Sequence, residues 1–151
     1  AVEATFVNKD ATATLKLELM IETPESLFGN THPGDPSSGG LALPAFVAAA
    51  QRGGGRTPVA VHFGAYDYTA ACGITALDQT LDHPACDFAR NLMQVALAGT
   101  GIWLSDGATN VLPIAPHRGE ALRADQLQEN RDAVHRAFRT SYANIRRSLL
   151  N

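Results

Sequence analysis

Strands alternating with helices predict an α/β fold for this chain of 151 residues. Three observations carry that expectation. A period-two apolar pattern runs through Leu15, Leu17, Leu19 and Ile21, a β-branched run occupies 58–64, and a third apolar segment, "GIWLSD", occupies 101–106. Helical patterns lie between and after them, and such alternation joins parallel strands through right-handed crossovers. One domain over 1–151 is expected, with a loop and short helix inserted at 29–57.

Each element has its own justification. In the first strand Lys16, Glu18, Met20 and Glu22 occupy the face opposite the four aliphatics, and Pro24 ends the run. "GNTHPGDPSSGG" (29–40) concentrates turn residues and reads as a loop. "PAFVAAAQR" (44–52) opens with Pro at a first helical position and stops at three glycines, which predicts a short helix. In "PVAVHFG" Val59, Val61 and Phe63 share one side, and "AYDYTAACG" should be the loop after this second strand. Pro84 suits the first turn of a helix whose apolar positions are Ala85, Phe88, Ala89, Leu92, Val95 and Ala96, with Gly99 as its cap. After the third strand, a loop to about Arg118 leads into a long helix with a stripe through Leu127, Val134, Phe138, Tyr142, Ile145 and Leu149. "EATFVNK" near the start offers a fourth strand.

Composition narrows the function classes. Hydrophobic residues make up 45% of the chain, enough for a real core and too many for a disordered one. With a net charge of -3 and acids interleaved among the arginines that follow Arg118, no nucleic-acid partner is expected. Cys72 and Cys86 are too few for a disulfide framework and too far apart for a CxxC motif, so a reducing, cytoplasmic compartment is expected, with both as small buried residues. No apolar run approaches the roughly 20 residues that span a bilayer. The opening residues lack the charged and apolar regions of a signal peptide, so a soluble chain with no membrane partner is expected.

In a parallel α/β architecture, functional groups gather at the carboxyl ends of the strands. Glu22 ends the first strand, Asp67 follows the second closely and Asp106 ends the third, so all three are expected at one rim. Grouped carboxylates repel one another unless protons or a cation relieve them, and hard oxygen ligands suit Mg²⁺ or Mn²⁺. A helix cap or a surface salt bridge explains any single acid better than a metal does. Glu22 and Asp67 together favour a metal, while Asp106, beside "GATN", stays open between active-site hydrogen bonding and turn formation. His62 alternates onto the same face as Ala60 and Gly64, which makes it a candidate for proton transfer beside the alternative of a satisfied interior histidine.

The segments "LMIETPESLF", "HFGAYDYTAACGI" and "HPACDFARNLMQVALAGTGIWLSDG", in that order, resemble the HpcH/HpaI aldolase and citrate lyase β-subunit superfamily, in particular an uncharacterised aldolase-like branch. The likeness covers about Leu15 to Leu150. It implies a TIM-type (β/α)8 barrel of which this chain supplies the fifth to seventh strands. It also implies metal ligation by the Glu of "IET" and the Asp of "GAYD", here Glu22 and Asp67. The implied activity is carbon-carbon cleavage or formation on a 2-oxo acid through a metal-stabilised enolate. In the citrate lyase and malate synthase relatives the enolate belongs to an acyl-CoA. Gly64, Ala65 and Gly73 would let backbone amides approach such a substrate, or serve only as turn residues.

Three departures stand beside the likeness. The insertion between Asn30 and Arg56 lengthens the interval between the two ligands, Met20 replaces a Gln found in many members, and the family's substrate Arg, upstream catalytic His and last barrel strand have no counterpart in these residues. An incomplete barrel exposes strand faces and edges, so a homo-oligomer or a missing flanking chain is expected, and a noncatalytic barrel segment serving oligomerisation or binding is the rival from another class. Other chemistries find little support. Lys16 lies at the wrong end of its strand for a Schiff base, "GTG" at 99–101 follows a helix as a stop signal, and no GxSxG elbow occurs. His83 reads as a cap or loop residue, and His32, His117 and His135 as exposed.

Overall fold

The computed structural model describes residues 16–29, 41–54 and 58–150. In chain order these form β1 (Glu18–Ile21), α1 (Pro24–Phe28), α2 (Ala42–Gly54), β2 (Ala60–Phe63), α3 (Ala65–Ala71), α4 (Pro84–Leu97), β3 (Trp103–Ser105) and α5 (Ala124–Leu150). Leu15, most of the predicted loop at 29–40 and the segment offered as a fourth strand lie outside the described residues. The fold is α/β. The three strands form one sheet in the order β1-β2-β3, parallel throughout, with Leu19 opposite Val61 and Val61 opposite Leu104.

The two faces of this sheet differ because side chains alternate along a strand. Ile21, Val61 and Phe63 are fully buried beneath α1, α2 and α4, together with Leu27, Leu43, Met93 and Cys86. Burying an aliphatic or aromatic side chain of this size contributes roughly 1.5–3 kcal/mol, so this layer dominates stability. On the other face Met20 remains 49% exposed and Trp103 76% exposed, with His62 and Ser105 half-buried between them. Among the described residues no helix covers that face.

Several local expectations are corrected. Residues 65–71 form α3 rather than a loop, and Pro24 opens α1 as well as ending β1. Proline suits that position because its missing N–H would have had no helical partner. The buried stripe of α4 is Cys86, Ala89, Arg90, Met93 and Leu97, which leaves Phe88 and Val95 exposed. The buried Arg90, held by polar partners inside the fold, rotates the helix away from its most apolar face. On α5 most of the predicted stripe is also exposed: Leu127, Phe138, Tyr142, Ile145 and Leu149 are exposed and Val134 half-buried, whereas Ala137 is buried. The helix meets the domain through small and polar residues, with Arg147 bonded to Asp87 and Ser148 to Asp106. Cys72 is exposed rather than buried. No helix among the described residues is long and apolar enough to cross a membrane.

Candidate functional site at the carboxyl rim of the sheet

Parallel strands place the residues that follow them at one edge, and here those residues are Glu22, Gly64 and Asp106. Gly64 N–H donates to the Ile21 carbonyl at 2.8 Å, which carries the β1 to β2 pairing one step past the strand ends and brings Glu22 beside Gly64. A Cβ added at Gly64 would lie 2.9 Å from the Glu22 Cβ and 3.6 Å from its Oε2. With φ of -83° the backbone there is ordinary, so what glycine supplies is room. The Glu22 side chain occupies that room and lies against the end of β2.

Asp67 sits in the first turn of α3, which starts directly after Gly64. Its carboxylate is exposed, and neither it nor Glu22 takes a hydrogen bond or ion pair from another described residue. The rim therefore brings together the ends of the two elements that deliver these acids. Among the described residues no three His, Cys, Asp or Glu side chains gather tightly enough to hold a metal by themselves.

Asp106 has a different place. Its Oδ2 accepts from Arg90 Nε at 2.8 Å and from Ser148 Oγ, and its Oδ1 accepts from the Gly107 N–H at 2.8 Å. Arg90 is 4% exposed and also donates to the Leu81 carbonyl and to Asp87, with its guanidinium 5.5 Å from the centre of the Phe63 ring. A buried cation needs such partners, since an unpaired one carries a large desolvation cost. Asp106 is thus spent on the helix side of the sheet, joining β3 to α4 and α5. It does not converge with Glu22 and Asp67 as an open third carboxylate.

The glycine assignments also change. The amide of Gly64 is engaged by Ile21, and the amide of Gly73 donates to the Ala70 carbonyl in a helix stop with φ of +73°. Neither is available to a ligand. Ala65, at the first position of α3, keeps the kind of first-turn N–H that a helix does not satisfy internally. Its methyl is buried, so only the backbone serves the rim.

His62 lies on the bare face, where Nδ1 and Ser105 Oγ are 3.0 Å apart. Sequence reasoning missed Ser105, although its period-two position in "IWLSD" places it opposite His62, as the register shows. It also missed Arg90, for which the signal was a cation at helical spacing among Cys86, Ala89 and Met93. Tyr66 was missed as well. Its hydroxyl donates to the Ala108 carbonyl and accepts from the Asn110 N–H, tying the loop after β3 to α3, and burial raises its pKa. His83 caps α4, its Nδ1 accepting from the Ala85 N–H at 3.1 Å, as expected. His117 is paired with Glu129 and Asn130 rather than simply exposed. Burial pushes the Tyr68 phenol up to about 12 and the Cys86 thiol up to about 11, which keeps both neutral and unreactive.

Residues 4–151 match the family described as Domain of unknown function (DUF6986), so the chain belongs to that family. Neither a curated protein nor a solved structure matches it.

Proposed function

We propose that this DUF6986 chain supplies the later strands of a TIM-type (β/α)8 barrel and acts in the cytoplasm as a divalent-metal-dependent carbon-carbon lyase on a 2-oxo acid. The observation that carries the proposal is the seating of Glu22 against Gly64, beside the start of the helix that bears Asp67. Two acids that take no hydrogen bond from another described residue, one just past β1 and one in the first turn of the helix after β2, suit a cation better than they suit each other. Mg²⁺ keeps several waters and is commonly held by one or two carboxylates plus substrate oxygens, and a two-carboxylate rim fits that donor set. Glu22 and Asp67 would hold the ion, Mg²⁺ or Mn²⁺. When bound it would supply Lewis-acid stabilisation to negative charge on the keto and carboxylate oxygens of the substrate.

The chain's own residues do the rest. The first-turn N–H of Ala65, which its own helix cannot satisfy, would let α3 help orient substrate, and Tyr66 fixes the neighbouring loop. Support for the barrel comes from the bare sheet face, because parallel sheets are ordinarily covered on both sides. That face carries His62 and Ser105, with Glu22 just past its edge beside Gly64, as the interior of a barrel would. The same exposure, with the apolar stripe of α5, supports a homo-oligomer or a flanking chain as partner.

Metal titration tests the proposal. The intact protein should bind Mn²⁺, and Glu22→Ala and Asp67→Ala should each weaken binding by at least the roughly 10- to 100-fold that losing an outer-shell partner costs. Absence of divalent-ion binding in the wild type defeats the enzyme and leaves the noncatalytic barrel segment. Assay against 2-oxo acids and acyl-CoA esters separates the 2-oxo acid lyase from an acyl-CoA lyase or synthase.

A further inference from the structure

Helix α5 is held to the domain along one side and leaves another bare. Asn130 bonds both backbone groups of His117, Arg147 bonds Asp87 and Ser148 bonds Asp106. At about 100° per residue, those three side chains stand roughly 80° or more around the helix axis from Phe138. Within roughly 40° of Phe138 lie Leu127, Arg131, Val134, Tyr142, Ile145 and Leu149, a stripe that runs nearly the whole helix. Phe138, Tyr142, Ile145 and Leu149 are each more than half exposed. Apolar side chains gathered in water mark a contact surface.

The flank of the stripe turned away from the domain identifies the partner. Asp125, Asp132, Arg139 and Arg146 recur there at every seventh residue, all exposed, drifting from roughly 140° to roughly 80° around from Phe138. Two acids are followed by two bases. The helix dipole favours acids at an N-terminus and bases at a C-terminus, but only within the first and last turns, and Asp132 and Arg139 lie outside both. Contacts within the chain do not explain the order either. Asp132 accepts from Gln128, and Arg139 and Arg146 make no hydrogen bond or ion pair with another described residue. Asp125 is paired with Arg123 at 2.9 Å, an exposed contact that contributes little.

We propose that α5 is the contact through which two copies of this chain associate, lying antiparallel about a two-fold axis beside His135 and Arg136. The inference rests on the homo-oligomer reading above, narrows it to one helix and one direction, and is independent of the metal. A two-fold axis perpendicular to antiparallel helices brings the same flank of each together. Asp125 then faces Arg146 of the second copy and Asp132 faces Arg139, and symmetry repeats both contacts. In the same register Leu127 meets Ile145 and Val134 meets Phe138, so the apolar layers and the charges agree. Arg131, the polar residue within the stripe, falls opposite Tyr142, whose ring suits a guanidinium. A parallel pair would instead turn the charged line toward Asn130, Ala137 and Asn144, a flank without charge.

Sedimentation equilibrium of the intact protein at about 100 µM, well above the micromolar dissociation constants of modest interfaces, should show at least a dimer. Phe138→Asp should weaken association by about 30-fold or more, as for an aromatic anchor near the centre of a seam. Asp125→Arg/Asp132→Arg, which leaves four bases in line, should weaken it by about 10-fold or more, and adding Arg139→Asp/Arg146→Asp to the same chain should restore it. Mn²⁺ affinity should be unchanged in all of these variants. Oxidation of Leu127→Cys/Ile145→Cys, in a chain that also carries Cys72→Ser, should link position 127 to position 145 of the second copy. Links that join 127 to 127 overturn the antiparallel direction, and failure of the fourfold reversal to restore association overturns the register. Association indifferent to Phe138→Asp and to the charge reversals overturns this inference and leaves a homo-oligomer built through another surface. A wild type that stays monomeric removes the homo-oligomer and this inference together; if Phe138→Asp then also destabilises the monomer, the chain's own further polypeptide covers the stripe.

Discussion

The two faces of one short sheet lead opposite lives. On the covered face Ile21, Val61 and Phe63 are sealed beneath helices, and even a cation is admitted only with full partnership: Arg90 is bonded to Asp106, Asp87 and the Leu81 carbonyl. On the bare face polar and apolar groups stand side by side, and Glu22 at its edge takes no hydrogen bond or ion pair from another described residue. The fate of an acid at a strand end thus depends on the side to which it turns. Asp106 turns to the helices and becomes a brace. Glu22 lies against the end of the next strand, beside Gly64.

The comparison can be broken most severely through the core. Phe63→Ala should cost about 3–5 kcal/mol in chemical denaturation, since it removes a fully buried ring, opens a cavity and strips Arg90 of its aromatic neighbour. Trp103→Ala on the bare face should stay within about 0.5 kcal/mol if that face is solvated as described. A loss there approaching that of Phe63→Ala would show instead that further polypeptide covers the face, which would sharpen the case for a barrel. Either result is informative about which side is truly inside.

A smaller effect tests the boundary between the faces. Gly64→Ala should destabilise by about 1–3 kcal/mol, because its Cβ would meet the Cβ of Glu22, a rigid atom rather than the end of a flexible side chain. The same variant should lose Mn²⁺ affinity along with stability. Should it bind metal as the wild type does, the seating of Glu22 is irrelevant to the rim.

The cysteines give the smallest and simplest contrast. Cys72 should react rapidly with a maleimide in the native protein, and Cys86 only after unfolding, which mass spectrometry of the labelled peptides would read directly. The buried thiol also carries a pH signature. Its pKa rises from 9.0 to about 11, mainly through desolvation, so the folded state keeps a proton that the unfolded chain releases first. Its contribution to stability is complete below pH 9.0, and falls as pH rises toward about 11. A Cys86→Ser variant should lose that alkaline component.

The sequence by itself determined the α/β class, the three strands and the inward face of Ile21, Val61 and Phe63, though Leu17 and Val59 of the same rows stay exposed, because β-branched runs and period-two alternation are local signals that tertiary contacts here reinforce. It also placed Glu22 just past β1, Asp67 shortly after β2 and His62 on the strand face opposite Val61 and Phe63, since in parallel strands position along the chain dictates position along the sheet. Only the tertiary structure decided which helix faces are buried. In α4 the winner was Arg90, whose partners come from the residue after β3, the loop before the helix, the helix's own first turn and the Phe63 ring of β2, and no local pattern reveals them all. In α5 small residues won over the apolar stripe for the same reason: a helix is oriented by what it meets. The roles of Asp106, Gly64 and Ser105 were likewise hidden, because each is set by a side chain dozens of residues away, across a strand or beneath a helix.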